Sequence, residues 1–133
     1  VDSSGVLAAI DSGEPDHEAV TQAIAREKRP LLITDFVIAE VDVLVLKRLG
    51  IAAEQAFLDQ VLQGIFVRET VTYEDLGRAR EISERYAEHH FGVTDATLMA
   101  LSERLGVSKV LTLDSRHFGV FRNRKGEALT LLP

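Results

Sequence analysis

The sequence predicts an α/β domain in which a parallel sheet is covered by helices on both faces. Short β-branched runs alternate with longer segments of amphipathic spacing, the order that a parallel sheet requires. Most of the short runs are bounded by turn or cap residues, which marks them as strands. With 133 residues and 46% hydrophobic content there is enough for one core, so residues 1–133 are expected to form a single domain.

Taken in order, Val1 belongs to a first strand, followed by a helix over Ser4 to Ile10. Pro15-Asp16 is an N-cap signal for a helix from His17 to Lys28. A strand from Leu31 to Thr34 precedes helices from Phe36 to Leu49 and from Ala52 to Leu62, closed by Gly50 and Gly64. Ile65 to Arg68 reads as the next strand. Thr72 and Asp75 resemble a capping box at the head of a helix from Tyr73 to His89, whose Leu76, Ala79, Ile82, Ser83 and Tyr86 share one stripe. Asp95 to Leu105 is the last helix, and Ser108 to Leu113 and Ala128 to Leu132 are the last strands. The nine glycines are scattered, with no P-loop or dinucleotide pattern and no internal repeat, so nucleotide-cofactor chemistry has no support.

Cysteine is absent, which excludes disulfides and thiolate metal sites and leaves oxygen or imidazole as ligands. No apolar run reaches the ~20 residues of a membrane span, and the start has neither a basic leader nor a small-residue cleavage site. A cytoplasmic protein with no membrane association is expected. A net charge of −6 argues against broad electrostatic binding to a polyanion. That objection weakens if the acids are gathered at a site that holds cations, which invert the local charge logic.

Four acids stand out. Asp2 lies at the C-terminal end of the first strand, where open parallel sheets place their ligand crevice, although with Ser3 and Ser4 it would also cap the first helix. Glu40 lies in DFVIAEVDVLVLKRLG, a helix apolar on nearly every side and therefore expected to be buried. A lone buried carboxylate must be protonated, paired or bound to a cation, and Lys47, two turns on, is a distant candidate partner. At ~100° per residue Asp42 points some ~200° away from Glu40, so both cannot serve one site. Asp95 begins a helix, where the helix dipole alone accounts for an acid. Asp114 ends the strand KVLTLD, a second carboxylate at a strand's C-terminal edge, with turn chemistry as its ordinary explanation.

Each acid is explicable alone, yet two at strand ends, one at a helix start and one in an apolar helix can converge on one crevice. Carboxylates held close repel unless protonated or neutralised, and an all-oxygen set suits Mg²⁺ or Mn²⁺. The chemistry that fits such a site is phosphodiester hydrolysis.

VDSS with Asp2, TDFVIAEV with Glu40, GVTDATLMALSERLG with Asp95, VLTLDSRHF with Asp114 and the terminal TLLP follow one another along nearly the whole chain. In these motifs the sequence resembles PIN-domain ribonucleases, particularly the VapC-like toxins of bacterial toxin–antitoxin pairs. The resemblance implies a three-layer α/β/α fold with a central parallel sheet, Mg²⁺ or Mn²⁺ dependence, endonucleolytic cleavage of RNA, homodimers, and inhibition by a small cognate antitoxin. It implies that Asp2, Glu40, Asp95 and Asp114 are catalytic, metal-site acids, and that Ser4 and Thr112 support the first and last of them. Two features depart from the family. Only one residue precedes Asp2, so the first strand is expected to be shorter than the family's, as a truncated start would make it, and Ser115 and Arg116 follow Asp114 where some relatives carry another acid, which argues against a second tightly held metal.

The stretch RHFGVFRNRKG carries Arg116, Arg122, Arg124 and Lys125 and no acid, which makes it the best candidate for RNA contact. Phe118 and Phe121 would either stack on bases or anchor the loop in the core. His117 would contact RNA or have no role, and His89 and His90 are expected to end a helix without a catalytic role. Rival enzymes fit poorly. A phosphoaspartyl enzyme needs a second acid two residues after its nucleophile, where Ser4 follows Asp2, and an adhesion-type metal site needs a serine where Val6 stands. The alternative is a catalytically silent PIN-like module that binds RNA or protein, against which the retention of all four acids argues.

Overall fold

In the computed structural model, which describes residues 1–133, helices alternate with short strands as the sequence pattern requires. The order is α1 (Ser3–Ile10), α2 (His17–Arg26), β1 (Leu31–Ile33), α3 (Asp35–Leu49), α4 (Ile51–Leu62), β2 (Phe66–Arg68), α5 (Tyr73–Arg85), α6 (Val93–Leu105), β3 (Lys109–Leu111), α7 (Ser115–Phe118) and β4 (Thr130–Leu132). β1 pairs in parallel with β2, and β3 with β4, so the strands form two two-stranded sheets. Val1 is not part of a strand. Residues 1 and 2 bridge the two pairs instead: the Val1 amine donates to the Leu32 carbonyl at 2.7 Å and the Asp2 amide to the Leu111 carbonyl at 3.0 Å.

Several boundaries differ from the sequence expectation for local reasons. Thr34 leaves its strand because its hydroxyl accepts the Val37 amide and caps α3. α5 stops at Arg85, four residues early, since the Tyr86 ring packs on Phe91 and Phe121 and the chain turns through Ala87–His89 to bring Phe91 back to the core. α6 starts two residues early at Val93, which makes Asp95 the third residue of the helix rather than its cap. Ala128 is outside β4 and forms a single antiparallel bridge with Arg122. α7 was not expected, and the Asp114 carboxylate caps it.

The largest difference concerns α3. Only Val37, Val41 and Val45, one residue per turn, are buried, while Glu40 is exposed and Val43 retains 63% of its accessible surface. A helix of this composition presents apolar side chains on every face, but in the single chain the core covers only one stripe. The expected burial of Glu40 is therefore wrong, and Lys47 forms no ion pair with it.

One core joins Val6 of α1, Ile33 of β1, the α3 valines, Met99 of α6 and the fully buried Phe118 and Phe121. The two phenylalanines are thus core anchors and are not free to stack on bases. α1 rests directly on β3: a Cβ on Gly5 would lie 2.8 Å from the Leu111 carbonyl oxygen, so only glycine permits this approach. The close packing brings the first turn of α1 against the end of β3.

Asp75 locks α5 to α6. Its carboxylate accepts the Thr72 amide at 2.9 Å, completing the capping box, and accepts the Arg104 guanidinium at 2.9 and 3.0 Å. Burial alone would raise this carboxyl's pKa, but the Arg104 and Thr72 bonds outweigh it and hold the group below its ordinary value. Asp75→Ala is expected to cost about 1–3 kcal/mol in urea unfolding, through loss of the cap and of the Arg104 bonds, while Arg104 keeps Glu69 and the Thr70 carbonyl as partners. Because the folded pKa is depressed, this contribution is complete above the ordinary carboxyl value of 3.8 and disappears as pH falls through the folded value. Parent and variant should therefore differ most near neutral pH and converge in acid.

Candidate metal centre

Asp2 ends the extended segment ahead of α1, and two hydroxyls fix its side chain. Ser4 Oγ donates to Asp2 Oδ2 at 2.7 Å, and Thr112 Oγ1 donates to the same oxygen at 2.9 Å. Each hydroxyl also accepts a backbone amide from the segment after β3: Ser4 Oγ from Leu113 and Thr112 Oγ1 from Asp114, both at 2.9 Å. Asp2 Oδ1 takes no hydrogen bond, and no buried polar atom lacks a partner, so this oxygen reaches the surface and is open to a ligand.

Asp114 serves its own turn with one oxygen and faces a neighbour with the other. Oδ1 accepts the amides of Arg116 and His117 at 3.1 Å each, capping α7. Oδ2 lies 3.3 Å from His117 Nδ1. The same ring nitrogen is 2.7 Å from Asp95 Oδ2. Starting α6 at Val93 leaves the Asp95 side chain free of capping duty. Burial pushes the Asp95 carboxyl up, the His117 hydrogen bond pulls it back, and the negative charges of Asp2 and then Asp114 push it up again. Asp2, Asp95 and Asp114 thus feel one another.

Glu40 reaches the site through Ser3, whose hydroxyl donates to Glu40 Oε1 at 2.6 Å. Its neighbour Asp42 turns to α4, where desolvation and then a hydrogen bond with Asp42 push the Glu54 carboxyl up. The two acids therefore face different partners, as their helical bearings require.

The tightest grouping is Asp95, Asp114 and His117, whose ligand atoms all lie within 4.8 Å of one another. Two carboxylates and an imidazole are a donor set that suits a divalent cation. Asp2 acts on this group through its charge on Asp95, and Glu40 is bound to Ser3; neither belongs to the grouping itself. The sequence assigns His117 RNA contact or no role and not this grouping, although a signal is there: Asp114 and His117 are three residues apart, the spacing that brings two side chains to one face of a helical turn.

The basic residues are less uniform than their sequence suggests. Arg116 is 90% exposed and lies 4.0 Å from Asp114, and Lys125 is exposed without an ion pair. The Arg122 guanidinium instead donates to the Gly119 and Phe121 carbonyls at 2.8 Å, and Arg124 lies 3.7 Å from Glu81.

Residues 1–123 match the PIN domain family. The chain is 34% identical over 133 residues to Ribonuclease VapC26 of Mycobacterium tuberculosis (strain ATCC 25618 / H37Rv), covering 100% of this chain and 98% of that protein. Its fold is similar to the crystal structure of Mycobacterium tuberculosis VapC20, a Sarcin-Ricin loop cleaving toxin, with a TM-score of 0.79 and 23% identity across 86% of this chain and 88% of that one. With a PIN-domain match over residues 1–123 and this similarity over its full length, the chain belongs to the PIN-domain family, among the VapC-like ribonucleases.

Proposed function

We propose that the chain is a metal-dependent endoribonuclease that hydrolyses RNA phosphodiester bonds, the toxin of a VapBC-type pair restrained by a cognate antitoxin. The observation that carries this reading is the convergence of Asp95 and Asp114 with their charges coupled to Asp2, an arrangement whose repulsion a cation would relieve. Asp95 and Asp114 would hold Mg²⁺ or Mn²⁺, with Asp2 Oδ1 facing the same crevice. Such an ion supplies neutralisation of phosphate charge and a lowered pKa for the attacking water. The residues supply position. Ser4 and Thr112 hold Asp2 still, and exposed Glu40, steadied by Ser3, is placed to orient water or accept its proton. Arg116 and Lys125 are the cations best placed to meet phosphates, with Arg122 and Arg124 joining only if they exchange their internal partners.

The finer architecture follows the same reading. Residues 1 and 2 join the two strand pairs through Leu32 and Leu111, which supports one central parallel sheet in a single three-layer domain. Val43, Leu46 and Leu49, exposed at three-residue spacing along α3, support a partner surface for a homodimer or the antitoxin. No helix is long and apolar enough to cross a membrane.

Cleavage of single-stranded RNA should require Mg²⁺ or Mn²⁺ and stop on chelation. With water as nucleophile the products should carry 5′-phosphate and 3′-hydroxyl ends, so activity in excess EDTA or a 2′,3′-cyclic phosphate would defeat the mechanism. Glu40→Gln should lower the cleavage rate by about 100-fold or more, whereas Asp42→Asn, facing α4, should keep most of it. Comparable losses in two folded variants would contradict the placement of Glu40. Asp114→Asn preserves the cap on α7, since Asn caps as well as Asp, while removing a like charge. It should abolish cleavage, melt no lower than the parent in EDTA, and lose most of the Mg²⁺-induced rise in Tm. A lower Tm in EDTA with an unchanged Mg²⁺ shift would make Asp114 a turn residue only.

A further inference from the structure

We propose that His117 is a ligand of the cation site, through Nδ1, and that this nitrogen makes the centre favour Mn²⁺ over Mg²⁺. The inference rests on the metal-dependent reading above and adds a residue to it. Nδ1 sits between two carboxylate oxygens, 2.7 Å from Asp95 and 3.3 Å from Asp114. Adjacent ligand atoms around a six-coordinate ion with bonds of ~2.1 Å stand about 3 Å apart, so these separations are those of neighbouring corners of one coordination shell. A protonated Nδ1 has one hydrogen to donate, and the carboxylates of Asp95 and Asp114 both stand within reach of it. A cation in the crevice would take the place of that shared proton.

The imidazole is held in this attitude from both ends. Its backbone amide donates to Asp114 Oδ1 at 3.1 Å, so one carboxylate grips the main chain and faces the ring. The ring packs edge-on against Phe91 at 5.1 Å, and Phe91 in turn lies against His89 and Tyr86 at 5.8 and 5.5 Å. A ring fixed in this way has little rotamer freedom to lose on ligation. Mg²⁺ takes oxygen ligands and keeps its waters, whereas an imidazole in the shell raises affinity for Mn²⁺ and later divalent ions.

The test uses the whole chain loaded with Mn²⁺ and read by pulsed electron paramagnetic resonance, alongside Mn²⁺ titration and competition by Mg²⁺. The parent should show ¹⁴N modulation from a directly bound imidazole. His117→Gln should lose it and bind Mn²⁺ roughly tenfold or more weakly, while Mg²⁺ affinity changes less than about threefold. Mn²⁺ bound to the parent without ¹⁴N modulation would overturn the role of His117 and leave the carboxylate site standing. Equal loss of Mn²⁺ and Mg²⁺ affinity would overturn it as well, making His117 a positioning residue for Asp95. If the parent binds neither ion, the metal-dependent reading itself fails.

Discussion

The site depends on a four-bond junction between the start of α1 and the end of β3. Ser4 and Thr112 each donate to Asp2 Oδ2 and each accept an amide from the segment that leads into Asp114. Two hydroxyls thus couple a carboxylate near the chain start to one more than a hundred residues later. Hydroxyls suit the task because each donates and accepts at once, which neither an amide N–H nor a carboxylate can do. The junction also needs the close approach that Gly5 permits, because α1 could not otherwise rest on the β3 backbone.

Gathering acids opposes folding, and the chain offsets the repulsion by giving each acid a separate neutral or basic partner. Asp2 has hydroxyls, Asp114 the amides of α7, Glu40 a serine, and Asp95 an imidazole. The Asp95 carboxyl is raised, since burial and its two acidic neighbours exceed what His117 returns. Partners of this kind fix position while leaving charge available to a cation, which suits a preorganised site better than full ion pairing would. Away from the site the opposite holds. Asp75 and Glu103 meet Arg104 and Arg78 in multiple bonds and are committed to joining α5 and α6.

Much of this was legible in the sequence because local rules and the global fold agree. The capping box at Thr72, the helix closures at Gly50 and Gly64, and the strand runs at Leu31, Ile65 and Ser108 all have local signatures. The misplaced features depend on distant residues. Nothing near Tyr86 announces that Phe91 and Phe121 will hold its ring and end the helix. The bridging role of Val1 and Asp2 depends on carbonyls at Leu32 and Leu111. His117 is a mixed case. Its spacing from Asp114 is local, but its contact with Asp95 crosses from α7 to α6.

Glu40 shows how composition alone can misjudge burial: the side chain is exposed on α3. α3 is apolar on nearly every side, yet only its valines one turn apart are enclosed. Glu40 is tied to Ser3, the residue next to Asp2, and that link requires α1 and α3 to be packed together. The excess of apolar residues on α3 then needs a different cause from core formation. Val43, Leu46 and Leu49 lie along one ridge, and Ile51 continues it onto α4 with 64% of its surface exposed. A ridge of this kind is costly to leave in water and easily covered by a second chain. Val43 follows Glu40 by three residues, so the apolar ridge begins beside Glu40 on the same helix, and anything docking on α3 would sit next to that carboxylate.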